Sequence, residues 1–108
     1  MLEELRTQID NIDDELVKLI IERFSVAKAI AEIKMAEGLP VFDPAREREI
    51  IDRLTQGRTD VMAGYIKTLF AAMFDLSRSY QTNYLKTISD TAPEGHAAPE
   101  EPELEEKT

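Results

Sequence analysis

Two cations in the first third of the chain have a spacing that can hold a small dianion. Arg23 and Lys34 are eleven residues apart. On a helix, at about 100° per residue, they differ by only about 20° around the axis and lie about 16.5 Å apart along it. Ala27 and Ile30 fall between them on nearly the same stripe. The pattern is compatible with a seat for a small dianion, but cations on long helices more often occupy solvated faces or extend from the edge of the apolar stripe.

A third cation on the same predicted helix, Arg6, cannot reach this seat from its own chain. It precedes Arg23 by seventeen residues, which places it about 100° away around the axis and roughly 25 Å along it. A second chain packed against the helix can bring Arg6 to the seat.

Other polar residues fit both a site and an ordinary surface. Asp43 has the type and position of a helix N-cap, and the run of alternating charges that contains Arg46 and Glu47 suits a solvated face. Ser77 and Gln81 are four residues apart and therefore share one helix face, but such pairs are also common on exposed surfaces. None of these patterns is specific alone.

The first element that must position these residues is one long helix. From Leu2 to about Glu37 there is no Pro or Gly, and apolar residues recur at helical spacing. About 36 residues span roughly 54 Å, whereas a compact chain of this size has a radius of gyration of about 13 Å. Three helices cannot cover such a stripe, so we expect two chains to intertwine as a helical homodimer.

Two further helices follow, which makes the predicted fold all-α with the order long, short, long. Gly38 and Pro40 end the first helix, and Asp43-Pro44 begins a short one that runs to about Gln56. After Gly57, either Thr59 or Asp60 can cap the third helix, which we expect to end near Thr87.

The chain is expected to divide into a helical domain, residues 1–88, and a disordered acidic tail rich in Pro and Glu, residues 89–108. The tail has seven carboxylates and one lysine, so six of the nine net negative charges lie there. The net charge of −9 argues against a broad nucleic-acid footprint. Residues 1–88 are only mildly acidic, so any function of their cations must be local. Leu104 leaves a short docking peptide open as an alternative function of the tail.

Composition also limits the chemistry and the location. There is no cysteine and a single histidine, His96, so the sequence predicts no disulfide and no zinc site with thiolate ligands. No signal peptide and no apolar run of membrane-spanning length is visible, so we expect a cytoplasmic protein without membrane contact.

Taken together, residues 2–88 resemble the all-helical class of chorismate mutase. The resemblance is carried by Leu5-Arg6, Ile9-Asp10, Ile12-Asp13, residues 19–23, residues 30–34, and above all the segment from Gly38 to Glu47, GLPVFDPARE. It implies an isomerase, an intramolecular transferase, that converts chorismate to prephenate in phenylalanine and tyrosine biosynthesis without metal or cofactor. It also implies a site built from three helices of one chain and the N-terminal arginine of the other.

The resemblance assigns roles to eight residues of this chain. It implies that the carboxylates of chorismate are held by Arg6 of the partner subunit, Arg23 and Ser77. It implies that Lys34 contacts a carboxylate and the ether oxygen, with Gln81 as its counterpart across the ether oxygen. Asp43, through its local backbone, and Glu47 resemble the pair that binds the ring hydroxyl, and Arg46 matches a further arginine lining the site.

The sequence leaves two other functions open. The first is an isochorismate-pyruvate lyase, an enzyme class with a similar fold and a similar cationic pocket. The arrangement of Asp43 and Glu47, however, resembles that of the mutases more closely. A non-catalytic helical module that docks on another shikimate-pathway enzyme and regulates it is the alternative from a different class.

Overall fold

The computed structural model describes residues 1–91, which form three helices and no strand. Helix α1 is Leu2–Glu37, α2 is Pro44–Thr55 and α3 is Asp60–Thr91. The predicted all-α class and the order long, short, long are therefore confirmed. None of these three helices is long and apolar enough to cross a membrane. The cytoplasmic location stays a prediction.

The connector between α1 and α2 is fixed at both ends by local hydrogen bonds. Gly38 adopts the left-handed conformation with φ 73°, and the N–H of Leu39 donates to the carbonyl of Lys34 at 2.7 Å. This is the usual left-handed helix ending, which a residue with a Cβ would adopt only with strain. At the other end the Asp43 carboxylate accepts the N–H of Arg46 at 3.1 Å, which caps α2.

Helix α3 begins as predicted and ends later than predicted. The hydroxyl of Thr59 accepts the N–H of Met62 at 3.2 Å, so Thr59 rather than Asp60 caps the helix. The helix continues to Thr91, four residues beyond the predicted end, because the sequence has no helix breaker between Gly64 and Pro93. Residues 89–91 of the predicted tail are therefore helical, and residues 92–108 lie outside the described part of the chain.

Helix α3 packs against both other helices. Ala27 and Ala31 of α1 are buried against it, and their small side chains let the two backbones approach closely. Ile50 of α2 and Phe74 and Tyr84 of α3 complete the buried apolar residues of the described chain. The packing thus brings the C-terminal half of α1, α2 and the middle of α3 together.

The N-terminal half of α1 has no such cover. Every residue from 1 to 19 is exposed, including an apolar stripe of six residues, Leu2, Leu5, Ile9, Ile12, Leu16 and Leu19. The longest dimension of the molecule is 57 Å and the radius of gyration is 17.1 Å, against about 13 Å for a compact chain of this length. A soluble monomer rarely leaves so long an apolar stripe in water.

Candidate active site

A cavity of about 280 Å³ opens where the three helices meet. Seven of the eight predicted site residues line it, namely Arg23, Lys34, Asp43, Arg46, Glu47, Ser77 and Gln81. The remaining wall is mainly apolar and comes from Val26, Ala27, Ile30, Val41, Ile50 and Phe74. The fold therefore brings together, in one concave surface, residues that are up to 58 positions apart in the sequence.

Helix α1 contributes the two cations whose spacing suggested a site. Arg23 and Lys34 are both half-buried, and the guanidinium carbon of Arg23 lies 5.8 Å from the centroid of the Phe74 ring, in cation–π range. The ammonium of Lys34 donates to the carbonyl of Val41 at 3.1 Å. An ammonium carries three N–H donors, so this contact orients Lys34 and leaves donors for a ligand.

The first turn of α2 contributes residues with different surroundings. Asp43 is exposed and its carboxylate serves as the helix cap. The side chain of Arg46 is 59% exposed and its guanidinium lies 3.3 Å from the carboxylate of Glu49. Glu47 is more enclosed, with 25% of its side chain exposed, and is ion-paired with Arg78. Asp43 therefore caps α2 and Arg46 is largely solvated, as expected from the sequence alone, and both residues also line the cavity.

Helix α3 contributes two polar side chains that are buried rather than solvated. Ser77 and Gln81 are each only 7% exposed. The amide nitrogen of Gln81 donates to the carbonyl of Ala27 at 2.9 Å, and this acceptor sets which end of the amide is the nitrogen. The nitrogen has a second N–H, so Gln81 can tie α3 to α1 and still donate to a ligand.

Arg78 also lines the cavity and was missed by sequence reasoning. It is ion-paired with Glu47 and with Asp75. In the sequence it resembles an ordinary surface cation paired with an acid three residues earlier. Its position beside Ser77 and three residues before Gln81 is the signal that could have placed it at the same site.

Arg6 is the predicted site residue that the structure does not bring to the cavity. Its side chain is 66% exposed and its guanidinium lies 3.9 Å from the carboxylate of Glu3. It stands near the free end of α1, about 25 Å along the axis from Arg23. Any contribution of Arg6 to this cavity must therefore come from another copy of the chain.

The charges at the cavity define what it can bind. Four cations, Arg23, Lys34, Arg46 and Arg78, face two carboxylates, Asp43 and Glu47. Arg46 and Arg78 are also ion-paired with Glu49 and Asp75, which lie outside the lining. The positive charge is therefore concentrated at Arg23 and Lys34, in a chain with a net charge of −9, and a concave wall of low polarity focuses that potential. A small organic dianion that also has an apolar ring matches both the charge and the lining.

The described residues form a small all-helical domain with a cavity lined by several cations, and the sequence places the chain in a known enzyme family. The pattern that describes chorismate mutase type II matches residues 5–82. The chain belongs to this family, as the resemblance indicated. It is therefore an isomerase with chorismate mutase activity.

The relatives are stand-alone and multi-enzyme proteins. The chain is 40% identical to a chorismate mutase of Methanocaldococcus jannaschii over 89 residues, which cover 79% of this chain and 88% of that protein. It is 34% identical to a bifunctional chorismate mutase/prephenate dehydratase of Aquifex aeolicus, covering 78% of this chain but 26% of the relative. A T-protein of Haemophilus influenzae is 28% identical over 82% of this chain and 24% of its own length.

Proposed function

We propose that chorismate binds in the cavity between the three helices and rearranges there to prephenate. The observation that carries the proposal is that cations and buried amide or hydroxyl donors from all three helices converge on one locally positive cavity. Chorismate has two carboxylates, a ring and a ring hydroxyl, and each of these groups has a chemically suitable partner in the lining.

The first task of the site is to hold the substrate in a reactive shape. The enolpyruvyl arm of chorismate must fold over the ring before its methylene carbon can bond to the ring carbon. Arg23 is proposed to clamp one carboxylate, with the buried hydroxyl of Ser77 as a further contact. Arg6 of the partner subunit is proposed to clamp the other carboxylate. A planar guanidinium holds a carboxylate with paired hydrogen bonds, so clamps of this kind fix orientation as well as charge.

The second task is to stabilise charge on the ether oxygen. In the rearrangement the ether C–O bond breaks while a C–C bond forms, and all atoms stay in the product, so no acid, base or nucleophile is required. Negative charge grows on the ether oxygen as that bond lengthens. Lys34 and Gln81 are held by the carbonyls of Val41 and Ala27, and such preorganised donors stabilise the transition state more than the substrate.

The ring hydroxyl is proposed to bind at the first turn of α2. One oxygen of the Asp43 carboxylate accepts the hydrogen bond that caps the helix. As the family resemblance implies, Asp43 is proposed to act through its local backbone, while Glu47 offers a carboxylate oxygen. Arg46 is proposed only to line the site and add to its positive potential, since its side chain is largely exposed.

We also propose that the working unit is an intertwined homodimer. The apolar stripe on residues 2–19 is uncovered, and Arg6 lies beside it with nothing but Glu3 as an ion-pair partner among the described residues. Pairing α1 with its copy covers the stripe and carries Arg6 toward the other cavity.

The reaction rate per chain should then fall on dilution as the dimer dissociates. Sedimentation measures the dissociation over the same concentrations, and a fully active monomer would contradict the shared site.

The reaction belongs to aromatic amino acid biosynthesis. Relatives that join a chorismate mutase to a prephenate dehydratase in one protein support a place for this chain before an enzyme that consumes prephenate. Docking on another shikimate-pathway enzyme is compatible with that place, and it remains a proposal.

The helical domain is expected to carry the activity alone. All the cavity residues lie between Arg23 and Gln81, so removing residues 92–108 should change kcat and KM by less than about twofold. Steady-state assays of the full chain and of the chain ending at Thr91 make the comparison. A loss above tenfold with an unchanged circular dichroism spectrum would contradict this division of the chain.

The pH dependence tests the role of Gln81. An amide does not titrate, so kcat should stay nearly constant through neutral and mildly alkaline pH. In Gln81→Glu the same position donates only while its carboxyl is protonated, so activity should fall as pH rises. A steep loss between about pH 5 and 8 in the unaltered chain would contradict Gln81 as the donor.

A further inference from the structure

Arg78 lines the cavity and contacts α2, its own helix α3 and the connector between α1 and α2. One terminal nitrogen of its guanidinium pairs with Glu47 of α2, and the other pairs with Asp75 one turn earlier on α3. The guanidinium carbon lies 4.8 Å from the ring centroid of Phe42 in the connector. We infer that Arg78 is a positioning residue that holds the Glu47 carboxylate ready to accept the ring hydroxyl of chorismate. This inference rests on the proposed role of Glu47.

The surroundings of Glu47 explain why it needs such a partner. Three quarters of its side chain is removed from solvent, and a partly buried carboxylate that lacks a counter-charge is costly to keep ionised. Arg78 supplies the counter-charge through one carboxylate oxygen of Glu47. The second oxygen still has lone pairs for a hydroxyl donor. The pair thus presents an oriented hydrogen-bond acceptor at the cavity wall.

Arg78 is itself fixed from two further directions, which makes it suited to positioning. The side chain of Asp75 is 73% exposed, so that ion pair contributes little to stability, but it sets the plane of the guanidinium fork. The ring of Phe42, in the connector, packs against the guanidinium of Arg78. A lysine ammonium has neither the fork nor the flat surface, so charge alone should not replace Arg78.

A direct contact between Arg78 and a substrate carboxylate is the competing role. The two roles differ in the substrate group on which the effect of Arg78 depends, the ring hydroxyl or a carboxylate. If Arg78 works through Glu47, its loss matters only when the substrate has a ring hydroxyl for Glu47 to bind. If Arg78 contacts a carboxylate, its loss matters with or without that hydroxyl.

The experiment compares Arg78→Met, Glu47→Gln and the double variant on chorismate and on an analogue of chorismate that lacks the ring hydroxyl. On chorismate, each single variant should lower kcat/KM by about 10-fold or more. The kcat/KM of the double variant should lie within about twofold of that of the less active single variant, because both substitutions remove the same interaction. On the analogue, all three should match the unaltered enzyme within about twofold. Arg78→Lys should recover less than half of the lost kcat/KM.

Arg48→Met is the matched control. Arg48 is an exposed arginine next to Glu47 on α2, and it does not line this cavity. The variant should leave kcat/KM on chorismate within about twofold of the unaltered value. Helical circular dichroism and melting temperature verify folding, and Arg78→Lys keeps the test usable if Arg78→Met does not fold.

The outcomes separate this inference from the proposed function. Glu47→Gln with unaltered kinetics would remove the hydroxyl-binding role of Glu47 and, with it, the role of Arg78. An impaired Glu47→Gln beside an unaffected Arg78→Met would overturn the positioning role alone. Multiplying losses in the double variant, or an Arg78→Met loss that persists on the analogue, would assign Arg78 to direct substrate contact instead.

Discussion

Lys34→Ala is expected to lower kcat for chorismate by at least about 100-fold, because it removes a preorganised positive donor from the position where negative charge develops. Most of the loss should appear in kcat rather than KM, since the interaction strengthens as the ether bond breaks. Steady-state kinetics of the purified variant measure both constants. The helices should persist, because the described hydrogen bond of Lys34 joins it to the connector and not to the packed core.

Lys18→Ala is the matched control for this prediction. Lys18 is on the same helix, is 73% exposed in its side chain and pairs with Glu15 at 3.6 Å, and it does not line the cavity. It should retain kcat within about twofold. Turnover of Lys34→Ala close to that of the Lys18→Ala variant would contradict the proposed role of Lys34.

Mixing two inactive variants, Arg6→Ala and Arg23→Ala, is expected to restore activity. Each variant alone should lose at least about 100-fold in kcat/KM, because each lacks a carboxylate clamp in both sites of its homodimer. In a mixed dimer one site combines an intact Arg23 with the intact Arg6 of the partner subunit. Random exchange makes half of the dimers mixed, so about one quarter of all sites should work.

The exchange must be verified independently of activity. Two affinity tags on the two variants allow the mixed dimer to be isolated, and its activity should approach half that of the unaltered dimer. A control mixture of Arg6→Ala with Arg6→Ala that carries the other tag should stay inactive. No recovery in a purified mixed dimer would contradict a site completed across the interface.

Much of the fold could be predicted because its signals are local. Gly38 ends α1 through its left-handed backbone conformation, and Asp43-Pro44 begins α2 through capping. Both effects involve only residues that are close in the sequence. The late end of α3 was missed because composition changed before any residue stopped the helix. A shift toward small and polar residues lowers helix propensity only slightly, whereas Pro interrupts the helix outright.

The site was predictable to the extent that it depends on one helix or on resemblance. The angle between Arg23 and Lys34 follows from helix geometry alone, and both residues do line one cavity. Asp43, Ser77 and Gln81 had ordinary surface explanations, and only the resemblance directed attention to them.

The contribution of Arg78 depends on how α2 lies against α3. Its partner Glu47 is thirty-one residues away, and no local spacing encodes that pairing. The burial of Ser77 and Gln81 has the same origin, because it is set by the close approach of α3 to the small residue Ala27. Sequence periodicity gives the face of a helix, but the partner of that face comes from packing.

The most direct measurement is the disappearance of chorismate on adding the purified chain in the presence of a metal chelator, with the product identified by nuclear magnetic resonance and isochorismate tested in parallel. We expect one prephenate to form for each chorismate lost, without added cofactor, and no comparable release of pyruvate from isochorismate. A folded chain that leaves chorismate unchanged, or that releases pyruvate from isochorismate at the higher rate, would contradict the assignment as a chorismate mutase.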